Sequence, residues 1–220
     1  VMDAVSGIGP AVGIGWAFAI LLFLLSLCGG GKADIRRRAG LALAGVIAAA
    51  GAALYSHDVI NLPAICGLLI LGAAAGWLIG RVVPPALLPL VLIGLMGLAG
   101  SGSVCAALAM WRNPHAFGLL DASGAALTGG AALLLTLQSG FGSMAVVGAV
   151  SAGWARRGSG AVSLMLASLV GWSAAASGFL LGNLPLVVAG GLAGSTGLVM
   201  ALRLCRAVNR KRLADARRGP

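Results

Sequence analysis

Two stretches of this chain, Pro84 to Met110 and Gly158 to Leu202, contain no Asp, Glu, His, Lys or Arg. Uncharged runs of that length restrict the fold more than any motif does. A helix rising 1.5 Å per residue needs about 20 apolar residues to cross a hydrocarbon core of about 30 Å, and each run is long enough for at least one crossing. The pattern recurs along the chain, with apolar segments at 11–29, 39–56, 62–82, 85–110, 118–137, 141–155, 161–182 and 184–204. They are rich in Ala, Leu and Gly and do not alternate, which predicts helices rather than barrel strands. The expected fold class is all-α. Residues 1–210 should form a polytopic transmembrane helix bundle of about eight segments, with crossings of eight give or take one, and 211–220 a basic cytoplasmic tail.

Charge placement gives the orientation. The chain is 60% hydrophobic and 9% charged, with a net charge of +10. Its cations gather between or after the apolar segments: Lys32, Arg36, Arg37 and Arg38, then Arg156 and Arg157, then Arg203 to Arg218, including Arg206 and Arg210. That is the pattern of cytoplasmic anchoring, where basic loops stay inside and meet anionic headgroups. It predicts a lipid bilayer as partner, with no nucleic acid, and a cytoplasmic C-terminus. Eight crossings conflict with this rule, because Lys32–Arg38 and the C-terminal cluster would fall on opposite sides. Seven or nine would agree. The ambiguity lies in 118–155, where Gly129-Gly130 and Gly140-Phe141-Gly142 interrupt the apolar run.

Chemistry-bearing groups are sparse. Cys28, Cys66, Cys105 and Cys205 sit in or at the ends of separate segments without C-x-x-C spacing, and read as small packing residues. His57 and His115 lie in different loops, too few for a metal site that needs three or four ligands. Asp121, a few residues past a loop, reads as an interfacial acid or helix cap. No catalytic, cofactor-binding or metal residues are assigned. The first apolar run ends in a basic loop rather than a small-residue cleavage site, so no cleaved leader is expected. The 36 glycines predict close helix packing, because small residues let backbones approach where lipid removes the hydrophobic drive. Gly72, Gly76 and Gly80 form one stripe, Gly94, Gly97 and Gly100 a second, and Gly190, Gly194 and Gly197 a third.

Several segments also resemble a known family. GWAFAILLFLLSLCGGGKADIRRRAGLALAGVIAAA is similar to the first two membrane helices of the beta subunit of proton-translocating NAD(P) transhydrogenase. NLPAICGLLILGAAAGWLIGRVVPPALLPLVLIGLMGLAG is similar to the next two, and Gly153–Gly160 with Leu164–Arg210 to the C-terminal part of that membrane domain. The family's beta subunit has nine membrane helices, and 101–145 fits it poorly. The resemblance implies a membrane-embedded His aligned with Ile93, a membrane Asn aligned with Ala167 and an Asp near Gly158. None of those residue types is present at these positions. After Arg210 only KRLADARRGP follows, without a Gly-rich phosphate loop, so NADP binding in the family's manner is not expected.

Three functions follow as expectations. The first is a non-catalytic structural or accessory subunit of a larger membrane complex, respiratory or photosynthetic, in the bacterial inner membrane. The second is the membrane component of a split transhydrogenase. The third is a small passive channel or carrier.

Overall fold

The structure, a computed structural model, describes residues 10–27, 35–56, 62–121, 123–124, 126–155 and 160–217. Among them are seven α-helices: α1 (Pro10–Leu27), α2 (Ile35–Ser56), α3 (Leu62–Val82), α4 (Leu88–Arg112), α5 (Gly129–Trp154), α6 (Gly160–Leu180) and α7 (Leu184–Arg217). No strand occurs among the described residues; one isolated bridge joins Leu120 and Leu127. All-helical architecture is what an apolar chain must adopt in lipid, where each backbone N–H and C=O needs an internal partner. The chain divides into two compact units, Val1–Val82 and Val83–Pro220.

In the first unit, α1 packs on α2. A Cβ placed on Gly45 would lie 3.4 Å from the Ala19 carbonyl oxygen and from the Phe23 ring, and one on Gly15 would lie 3.0 Å from the Ala52 Cβ. Along α3, every residue from 67 to 82 is exposed. The Arg81 guanidinium lies 4.0 Å over the Trp77 ring, a cation–π pair at the end of the helix. Apolar helical stretches in this unit are Gly13–Ser26, Gly40–Ala49 and Cys66–Val82.

The second unit holds four helices long and apolar enough to cross a membrane: Pro85–Arg112, Gly129–Trp154, Gly160–Leu180 and Leu184–Arg210. The expected segments 118–137 and 141–155 are one helix, α5. Gly140 and Gly142 lie inside it, and Gly142 is buried where α5 crosses α4. A Cβ on Gly142 would lie 2.8 Å from the Gly100 carbonyl oxygen, and one on Gly100 would lie 2.7 Å from the Gly142 carbonyl oxygen. These glycines bring two backbones together rather than breaking a helix. Residues 118–121, 123–124 and 126–128, expected to open a helix, are instead non-helical before α5, with Gly118 and Gly124 at φ 63° and 70°.

Asp121 belongs to that connection and not to a helix cap. Its Oδ1 accepts hydrogen bonds from the Ser123 backbone N–H at 3.1 Å and the Ser123 hydroxyl at 2.6 Å, an Asx-type turn. Between α6 and α7 the Gly182-Asn183-Leu184-Pro185 turn behaves as its residues suggest. Gly182 takes φ 61°, and the Asn183 Oδ1 accepts from the Leu186 N–H at 3.1 Å, capping α7.

The α6–α7 seam is the tightest among the described residues. A Cβ on Gly171 would lie 2.8 Å from the Gly194 Cα, one on Gly178 2.6 Å from the Val187 N, and one on Gly190 2.7 Å from the Gly171 carbonyl oxygen. Trp172 packs its ring against Gly194, where a Cβ would meet it at 2.9 Å. The Ser168 hydroxyl donates across the seam to the Gly194 carbonyl at 2.5 Å.

Candidate functional site

Function in a membrane bundle concentrates where polar or ionisable groups lie at depth, because placing them there is costly. In the second unit two interior regions therefore matter, and they differ in chemistry. The first surrounds Ile93 on α4. This side chain is 1% exposed and packs in a buried cluster with Ala149, Ala152 and Leu166, flanked by Met96, Val162 and Leu169. The position that the resemblance aligns with a membrane His is thus sealed by aliphatic carbon from three helices. Ala167, the counterpart of the membrane Asn, stands beside Leu166 of that cluster and is half-buried. Gly158 lies outside the described residues.

The second region is a polar node joining α4, α5 and α6. Gln138 of α5 is fully buried, and its Nε2 donates to the Ser103 backbone carbonyl on α4 at 3.1 Å. Ser173 of α6, also fully buried, donates its hydroxyl to the Gln138 backbone carbonyl at 2.8 Å. The hydroxyls of Ser103 and Ser173 are hydrogen-bonded to each other. A serine has one proton to give. Since Ser173 gives its proton to a carbonyl, Ser103 is the donor in the hydroxyl pair. Three helices are thereby tied by three bonds. Gln138 was not singled out by reading the sequence, although one signal was present: it is the only Gln in the chain, set in a segment without charged residues.

Other hydroxyls serve their own helices. Ser101 donates to the Leu98 carbonyl, Thr136 to that of Ala132, Ser139 to that of Thr136, Ser151 to that of Gly148, and Thr196 to that of Leu192. Such back-bonding satisfies the hydroxyl without opening a polar track. A groove between α5 and α6 is lined chiefly by Met144, Val147, Met165, Leu166 and Leu169, and a second between α4 and α5 by Val104, Leu108, Trp111 and Leu135.

The residues singled out by sequence separate as follows. Gly190, Gly194 and Gly197 face α6, where a Cβ on Gly197 would lie 3.0 Å from the Leu164 carbonyl oxygen. Gly97 faces α5, with a would-be Cβ 2.7 Å from that of Ala149. Gly72, Gly76, Gly80 and Gly94 meet nothing within 4 Å. Arg37, Arg206 and Arg210 are exposed. Arg36 and Arg38 are helical, while Lys32, Arg156, Arg157, Cys28 and His57 lie outside the described residues. His115 is exposed in a 3₁₀ turn, Pro114–Phe117, and no group of three potential metal ligands occurs among the described residues.

Four membrane-length apolar helices and a largely apolar interior among the described residues define a polytopic membrane protein. Residues 159–214, covering α6 and most of α7, match the family model of the NAD(P) transhydrogenase beta subunit, which supports a relationship to that membrane domain. No curated protein matches the chain.

Proposed function

We propose that this chain is a transhydrogenase beta-type membrane domain that keeps the helix packing without proton transfer, and acts as a non-catalytic accessory subunit of an energy-converting complex in the bacterial inner membrane. The observation that carries this reading is the sealed cluster at Ile93. A proton path across about 30 Å of hydrocarbon needs groups that bind and release a proton at depth. From Leu88 to Met110, Gly129 to Trp154 and Gly160 to Leu202 the sequence has no Asp, Glu, His, Lys or Arg. The exposed apolar faces, including 67–80 on α3, suit lipid and neighbouring membrane subunits.

Reconstituted in liposomes under a pH gradient, the protein should leave proton flux indistinguishable from protein-free vesicles. Flux above that background would sink the reading and favour a channel or carrier. Native purification should return stoichiometric membrane partners, and recovery of the chain alone would count against an accessory role. If membranes lacking this chain lost NADH-to-NADP hydride transfer, the split-transhydrogenase reading would replace it.

The single helix α5 also supports a seven-crossing topology. Seven crossings place Lys32–Arg38, Arg81, Arg156–Arg157 and the C-terminal cations in the cytoplasm and leave only Arg112 opposite. Cysteines introduced at His115 and at Arg210 should then react with an impermeant maleimide from opposite sides of the membrane. Labelling of both from one side would restore the two-segment reading of 118–155.

A further inference from the structure

The hydroxyls of the four membrane-length helices are not all treated alike. Every described Ser and Thr of α4 to α7 except one takes part in a hydrogen bond, within its own helix or across a seam. The exception is Ser143 of α5, whose Oγ has no partner among the described residues. Back-bonding to a carbonyl one turn earlier is the usual way a membrane helix satisfies a hydroxyl, and Thr136 of the same helix does so. An unpaired hydroxyl in hydrocarbon is costly, so a ligand that accepts its proton has a stated advantage there.

Ser143 lies in the groove between α5 and α6, which has a volume of about 850 Å³ and opens sideways toward lipid. Eleven residues separate it from Trp154 at the end of α5, about 16 Å at 1.5 Å per residue, which is near the middle of a 30 Å core. From there the groove runs about 18 Å along α5 to Ala155. Its floor is closed: Leu166 is 4% exposed, and a Cβ on Gly148 would lie 2.7 Å from the Leu166 Cδ2. Met144 stands on the α5 wall and Met165 on the α6 wall, 58% and 47% exposed. Thioethers adapt their shape and make favourable contacts with the edges of aromatic-type rings. None of the described lining residues is charged.

The groove between α4 and α5 supplies the contrast. It also carries two hydroxyls, Thr136 and Ser139, and both are turned back onto their own helix, as suits a surface for acyl chains. In the α5–α6 groove Ser151 does the same, donating to the Gly148 carbonyl. Ser143 alone offers a proton into an apolar space walled by methionines.

We propose that this groove binds a neutral isoprenoid quinone, with a ring carbonyl accepting the Ser143 proton, the ring against Met144 and Met165, and the prenyl tail along Val147 and Leu166. A quinone matches the lining in each respect: a flat ring for the thioethers, carbonyl oxygens that accept without donating, and no charge to desolvate at mid-membrane depth. The volume falls in the range of about 300–1,000 Å³ typical of small-molecule sites built from apolar walls and a few polar groups. An acyl chain would leave the hydroxyl unpaired. Binding alone is proposed, without a redox step, and it extends the accessory role to holding a membrane-soluble carrier.

The intact protein in detergent micelles, titrated with decylubiquinone carrying ¹³C at a ring carbonyl, tests this directly. Binding should saturate at about one molecule per chain, and one carbonyl stretch should move to lower wavenumber than in free quinone. Ser143→Ala should weaken binding about three- to tenfold, the effect of one neutral hydrogen bond, and return the stretch to its free position. Ser143→Thr should retain both, and Thr136→Ala in the other groove should change neither, with each variant checked for native helicity by circular dichroism. Binding that does not saturate, an unshifted carbonyl in the parent protein, or equal affinity in Ser143→Ala overturns the proposal. So does a phospholipid that excess decylubiquinone fails to displace, which would assign the groove to acyl chains. Proton flux in liposomes tests the accessory reading separately, since a held quinone moves no protons.

Discussion

Gly190→Ala should lower the stability of the protein by about 2 kcal/mol, one of the largest losses expected from adding a single methyl group. The added Cβ would lie 2.7 Å from the Gly171 carbonyl oxygen and 2.9 Å from the Ala175 Cα, and would also meet the Ala175 backbone nitrogen. All three are backbone atoms, so no side chain can rotate away. Relief requires α6 and α7 to separate, which also lengthens the Ser168–Gly194 hydrogen bond. Against this, alanine gains about 1 kcal/mol of helix propensity over glycine, and that gain is already counted in the net figure. Gly76→Ala, on a surface with nothing within 4 Å, isolates the propensity gain and should leave stability unchanged or raise it. Denaturant titration in a mild detergent micelle, read by circular dichroism, compares the two. Matching midpoints would mean that the seam is not as close as described.

Ile93→His is expected to destabilise the bundle by about 3 kcal/mol, with Ile93→Leu below about 1.5 kcal/mol as the shape control. An imidazole there would replace an aliphatic side chain packed against Ala149, Ala152 and Leu166, none of which offers a side-chain hydrogen-bond partner. The same variant separates sealing from simple loss of one residue. Restoring the His that the family resemblance implies should not restore proton flux, because no Asp, Glu, His, Lys or Arg lies along the apolar stretches of α4 to α7. Flux above the liposome background in Ile93→His would show that a path exists and lacks only this group.

Much of the architecture could be read from the residues alone, for reasons that have limits. Most helix bounds followed from the apolar runs and the loop residues between them, such as Pro84-Pro85 and Asn113-Pro114, whereas α7, expected to end at 204, continues as helix through the cations to Arg217. The α6–α7 turn followed from Gly182, Asn183 and Pro185, each of which has a specific backbone role there. Glycine spacing was less informative. On α7 the stripe at Gly190, Gly194 and Gly197 meets α6, whereas the equally regular stripe at Gly72, Gly76 and Gly80 meets open space. Periodicity tells which residues share a helix face and not whether another helix lies against it. Gly140 and Gly142 suggested a break because glycine weakens helices in water. Within a bilayer the backbone has no competing solvent, so α5 continues and Gly142 serves the crossing with Gly100 instead. Gln138 escaped notice because a neutral amide carries no charge to attract attention, and its importance depends on Ser103 and Ser173, 35 residues away on either side.

Helix α7 runs unbroken for 34 residues, about 51 Å at 1.5 Å per residue, so about 20 Å of it extends past a 30 Å hydrocarbon core. A rigid rod transmits rotation along its length. At 100° per residue, Arg203 and Arg210 point within about 20° of each other, Arg206 about 60° to one side, and all three lie away from the Gly190–Gly194–Gly197 edge. The azimuth of this cationic ridge in water is therefore set by glycine packing near the membrane centre. Re-registering the seam by one residue would swing the ridge through about 100° and aim it at a different part of its surroundings.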